Sequence, residues 1–107
     1  MQILEFEPQF WILVKDGADL ILEVNCEHGA AGYSFSFILD EIEKKNFSSG
    51  GRKFLNKLAA AVNYSAPGVR GSASSYQYRR LSPPRDEQLD DSIASWIRSA
   101  NRNSLGS

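Results

Sequence analysis

Asp19–Leu39, DLILEVNCEHGAAGYSFSFIL, reads as two strands joined by a loop of small residues. Leu20, Leu22 and Val24 alternate with Ile21, Glu23 and Asn25, and Tyr33, Phe35 and Phe37 alternate with Ser34 and Ser36. A period of two puts each apolar trio on one face of a pleated strand. The Cys26–Gly32 connection is far shorter than the roughly dozen residues a parallel crossover needs. The pair is therefore expected to be antiparallel, with its six large apolar side chains founding the core.

Towards the N-terminus, Lys15-Asp16-Gly17-Ala18 is a hairpin signal, because Asp and Gly tolerate positive φ. Phe10–Lys15 and Ile3–Glu7 read as two further strands, split by Pro8, which cannot donate to a ladder. In Phe10–Lys15, Trp11 and Leu13 oppose Phe10, Ile12 and Val14, so this strand carries apolar groups on both faces. The first forty residues thus propose a four-stranded antiparallel meander.

Beyond Leu39 the period changes. Asp40 suits a helix N-cap, with Glu41 and Glu43 in the first turn, where carboxylates meet the positive end of the helix dipole. Ser48-Ser49-Gly50-Gly51 interrupts or restarts that helix. From Arg52 to Asn63, Phe54, Leu55, Leu58, Ala59, Ala61 and Val62 form an amphipathic stripe. Ser65–Ser75 is a loop by composition, and Tyr76–Arg80 is expected to be a short edge strand. Ser82-Pro83-Pro84 opens a second helix, where Leu89, Ile93, Trp96, Ile97 and Ala100 recur at helical spacing. Trp96 is the expected anchor of this helix on the sheet. The fold class that follows is α+β: one domain over residues 1–100, an antiparallel sheet of about four to five strands, and two main helices packed on one face. Residues 101–107 are expected to be a flexible tail.

The 107 residues match one domain, and a 42% hydrophobic fraction suits a globular chain. Cys26 is the sole cysteine, which excludes an internal disulfide and fits a reducing compartment. The longest apolar runs, Phe10–Val14 and Leu58–Val62, fall well short of the roughly 20 residues that span a bilayer. The start, MQILEFEP, lacks the basic and apolar regions of a secretory signal. A cytoplasmic location without membrane contact is the expectation.

Chemistry-bearing residues are few. Cys26-Glu27-His28 is the one place where nucleophile, acid and base types meet. Adjacent residues at a strand end point apart, and one Cys with one His falls short of a zinc set. The loop Ser65–Ser75 lacks the GxxxxGK[ST] spacing of a phosphate loop. No cofactor, metal or small-molecule substrate is expected, and the chain is not expected to be an enzyme. Charge is more telling. Residues 1–43 hold nine acids and one base, residues 44–85 hold nine bases and no acid, and residues 86–107 hold four acids and two arginines. The basic middle, with Arg52, Lys53, Lys57, Arg70, Arg79 and Arg80 near Tyr64, Tyr76 and Tyr78, supports one reading as a nucleic-acid-binding or regulatory module. It carries no recognition signature of that class. The acidic third supports the other reading, steering towards a basic protein partner.

In length, in its α+β pattern, in its lack of a catalytic set and in the stretch Phe6–Asn25, FEPQFWILVKDGADLILEVN, the chain resembles the immunity proteins of bacterial contact-dependent and polymorphic toxin systems. The resemblance implies that it binds a cognate toxin domain, often a nuclease with a basic cleft, and occludes the active site. Asp16, Asp19, Glu23, Glu27, Asp40 and Glu41 are the expected contact residues.

Overall fold

The computed structural model describes residues 1–28, 31–69 and 72–105, with the backbone alone at positions 28, 31 and 101–105. Four strands, β1 (Gln2–Glu7), β2 (Trp11–Asp16), β3 (Asp19–His28) and β4 (Ala31–Ile38), form one antiparallel sheet in sequence order. The expected α+β meander is thus the observed fold. Trp11 pairs with Val24 and Asp16 with Asp19 across β2–β3, and Leu22 with Phe37 and Val24 with Phe35 across β3–β4. The β2–β3 loop is Gly17-Ala18, one residue later than the Asp-Gly signal suggests, with Gly17 at φ +62° where a primed turn needs positive φ. A bulge between Ile3 and Glu5 bends β1 at the free edge.

Period two divides the side chains between two cores. On one face Trp11, Leu13, Leu22, Val24, Phe35 and Phe37 are buried against Leu55, Leu58, Ala59 and Val62 of α1 (Glu41–Ser65). On the other, Val14 and Ile21 are buried against Leu81 and against Leu89 and Ile93 of α2 (Arg85–Leu105). The helices therefore lie on opposite faces of the sheet, where sequence reading expects them on one. The reason is written in the strands: Val14, Ile21 and Ile38 sit out of phase with the main apolar trios, and that second apolar stripe must be covered.

Helix α1 is two segments meeting at Gly51, whose φ of 56° and ψ of −139° belong to a region open essentially to glycine. This is the interruption that Ser48-Ser49-Gly50-Gly51 announces. Asp40 caps the first segment with a full capping box: its carboxylate accepts from the Glu43 N–H at 2.8 Å, and the Glu43 carboxylate accepts from the Asp40 N–H at 2.8 Å.

Two expectations are corrected. Tyr76–Arg80 is not a strand: Gln77–Arg79 form one 3-10 turn, and Arg80 makes a single bridge to Phe37 at the β4 edge. Local bonds win here, since Ser74 accepts from the Tyr76 and Gln77 N–H groups and Tyr76 accepts from that of Arg79. Trp96 is not the main anchor of α2. Leu89 is fully buried and Ile93 nearly so, while Trp96 is half-buried at the rim, edge-on to Phe6 at 4.8 Å between centroids. The tail expected from residue 101 is helical backbone to Leu105, and positions 106–107 lie outside the described residues.

Candidate functional site

The acids and bases that the sequence keeps apart meet in the fold. Arg52 of α1 pairs with Glu7 of β1, and also donates to the Phe6 carbonyl. Arg79 reaches back to Glu43 at 3.1 Å and lies 4.9 Å from the Phe37 ring centroid. Arg85 at the start of α2 holds both hairpin carboxylates, Asp16 at 2.9 Å and Asp19 at 2.8 Å. Lys44 pairs with Glu41 and donates to the Ala18 carbonyl. Each such partly exposed pair contributes little to stability, about 0–1 kcal/mol. Their larger effect is on the surface field, because charges so paired leave little net potential.

The six expected contact acids fall into three places. Asp16 and Asp19 flank the hairpin, both held by Arg85. Asp40 caps α1 with Arg79 at 4.0 Å, and Glu41 lies beside Lys44. Glu23 and Glu27 lie farther along β3, Glu27 about 26 Å from Asp19 at the usual rise per residue. These two make no ion pair among the described residues.

Glu23 leads to a groove that sequence reading misses. Helix α2 starts at the β2–β3 hairpin, crosses Val14 and Ile21, and passes Phe6 of β1 at Trp96, midway along its length. That path leaves the α2 side of β3 and β4 uncovered where Glu23, Asn25, Ser34 and Ser36 point outwards. A cavity of about 200 Å³ lies there, lined by Glu23, Ser34, Ser36, Arg80, Asp86 and Asp90. Asp86 and Asp90 sit one helical turn apart, so both carboxylates look along the same flank of α2. Neither they nor Glu23 make an ion pair among the described residues. Burial pushes the Glu23 carboxyl above its ordinary pKa, the Asp90 carboxylate adds to the rise, and the Ser36 hydroxyl, donating at 3.4 Å, opposes it.

A second cavity, of about 250 Å³, continues from Glu23 and Asn25 to the β1–β2 turn, where Phe6, Phe10, Trp96 and Ile97 line it. Glu23 borders both cavities, so they adjoin along α2 as a groove with three acids and Arg80 at its start and aromatic side chains at its end. The signal in the sequence is the pair Asp86 and Asp90 with no base three or four residues away, together with Glu23 alone among apolar neighbours.

The remaining candidates are structurally explained. Cys26 is 1% exposed, and burial raises its thiol pKa, the reverse of what a nucleophile requires. The His28 side chain lies outside the described residues. Among the described residues no group of three or more His, Cys, Asp or Glu could hold a metal ion. No helix among the described residues is long and apolar enough to cross a membrane. The Ser65–Ser75 loop is tied down where it is described: Ser65, Ser72 and Ser74 share hydroxyl bonds, and Gly68 donates to the Tyr33 hydroxyl at 3.1 Å. Arg70 and Gly71 lie outside the described residues. In the basic middle, Lys53, Lys57 and Tyr64 stay exposed on the outer face of α1, while Lys44, Arg52, Arg79 and Arg85 are paired. Comparison with protein-family models, with curated proteins and with solved structures finds no match.

Proposed function

We propose that this protein acts by stoichiometric binding, as a cytoplasmic immunity protein that occludes the basic active-site cleft of a cognate toxin and performs no reaction itself. One observation carries the reading: Glu23, Asp86 and Asp90 line an open groove without ion-pair partners among the described residues, whereas Asp16, Asp19, Asp40 and Glu41 have theirs. Three carboxylates against the single Arg80 that also lines the cleft leave it net negative, and such a cleft speeds encounter with a positive surface and penalises acidic ones. The expected contact set narrows accordingly to Glu23 and Glu27, joined by Asp86 and Asp90. Nucleic acid bound through residues 44–85 is the less supported reading, since among the described residues four of the segment's nine bases are already engaged by this chain's own carboxylates.

The reading is tested by titrating the protein into the toxin domain encoded beside it and following toxin activity. Binding by occlusion predicts that inhibition completes at an equimolar ratio and that the two elute together in gel filtration. Inactivation at a tenth of that ratio would instead mean turnover, and the absence of any complex would end the proposal.

A further inference from the structure

We infer that the aromatic end of the α2 groove seats one bulky apolar side chain of the protein partner, presented next to a lysine or arginine that meets Glu23. The inference deepens the proposed function and rests on it for the partner's identity, but not for the groove's chemistry. Three observations combine. Phe6 and Ile97 are 40% and 45% exposed at the groove's rim, although both are large apolar side chains at the meeting point of a strand and a helix. Trp96, which lines the same cavity, stands edge-on to Phe6, so the groove offers aromatic faces and edges to a third group. Its volume of about 250 Å³ is below the roughly 300–1,000 Å³ of small-molecule sites and suits a single side chain.

Charge chooses the neighbour of that side chain. At the far end, Glu7 is satisfied by Arg52, so the wall there is neutral. At the near end, Glu23 makes no ion pair among the described residues, and Asp86 and Asp90 follow it along the same flank of α2. A cation beside the apolar anchor therefore meets carboxylate, while an acidic neighbour meets like charge in a partly desolvated groove. The pairing of a buried apolar anchor with a flanking charge is the usual make-up of an interface hot spot.

The inference is testable without the toxin. The protein has two tryptophans. Both tryptophans border the cavity, but Trp11 is 1% exposed, its side chain belongs to the α1-side core, and its indole N–H is donated to Asn56 of α1 at 2.8 Å. In 15N-labelled protein, the peptide acetyl-Lys-Trp-Lys-amide should shift the Trp96 indole signal saturably and leave that of Trp11 in place. Acetyl-Lys-Ala-Lys-amide and acetyl-Glu-Trp-Glu-amide should each bind about tenfold more weakly or worse. The variant Ile97→Lys, at an exposed position that leaves the fold intact, should lose the response to the first peptide. Equal binding of the alanine peptide, equal binding of the glutamate peptide, or no Trp96 response at all would each overturn the inference. If the peptides fail while the equimolar toxin complex forms, the groove inference falls alone. If acetyl-Lys-Trp-Lys-amide binds as expected and no toxin complex forms, only the immunity reading falls.

Discussion

Glu23 is the residue on which packing and charge compete. It is part-buried between β3 and α2, with Ser36 as its hydrogen-bond donor and Asp90 as a like-charged neighbour. Its folded pKa therefore lies above its unfolded value, so the folded state holds the proton more tightly. Stability from this group is full below the ordinary glutamate pKa, about 4.3, and is lost as pH rises through the folded value. Glu23→Gln removes that loss. The variant should match or trail the wild type at pH 4 and exceed it at pH 7, by about 1 kcal/mol or less because the site is open to water. Urea denaturation of both proteins at the two pH values measures this, the other carboxylates cancelling in the difference. A variant equally destabilised at both would mean that the Glu23 carboxylate is favourably held. At this scale the sequence is legible where chemistry is local. Asp40 followed by Glu43 spells a capping box, and Gly50-Gly51 spells a break. Glu23 is not legible as a site, because what perturbs it, Ser36 and Asp90, lies 13 and 67 residues away.

Among the elements, α2 carries the clearest lesson about pattern and packing. Its stripe, Leu89, Ile93, Trp96 and Ile97, is regular along its length, yet only its first half is buried. Leu89→Ala should cost about 2–5 kcal/mol, the usual range for a buried large-to-small change. Trp96→Ala should cost about 1–2 kcal/mol, since one edge-on aromatic contact and partial burial are lost. Thermal or urea unfolding of the two variants checks the order, and Trp96→Ala as the costlier change would place the helix anchor, and not a binding groove, at the β1 end. Periodicity reveals which side of a helix is apolar, but not whether protein or partner covers it. The same holds for the sheet. The apolar residues on both faces of β2 announce two covered faces, yet allotting one helix to each needs the out-of-phase Ile21 and Ile38 to be counted with Val14. Tyr76–Arg80 misleads for another reason. Its composition suits a strand, but Ser74 and Arg79 draw its backbone and side chains into a turn against β4 and α1.

For the whole molecule, charge segregated along the chain is mostly pairing in advance of folding. The acidic third and the basic middle are complementary surfaces of one protein, and Arg52, Arg79 and Arg85 join them. What sequence reading takes for a broad acidic face is, once folded, a narrower groove whose acids come from β3 and from the start of α2. Two sets of carboxylates thus differ in their pairing: Asp16, Asp19, Asp40 and Glu41 have cationic partners, and Glu23, Asp86 and Asp90 make no ion pair among the described residues. The measurement that tests this most directly is the association rate with the proposed basic toxin partner, taken at low and at physiological salt for two reversal variants. One variant carries Glu23→Lys, Asp86→Lys and Asp90→Lys, and the other Asp16→Lys, Asp19→Lys and Glu41→Lys. The groove variant should associate at least about tenfold more slowly and lose most of its salt dependence, while the second variant, if folded, should stay close to wild type. Equal losses in both, or a loss confined to the second variant, would contradict the assignment of the groove as the binding surface.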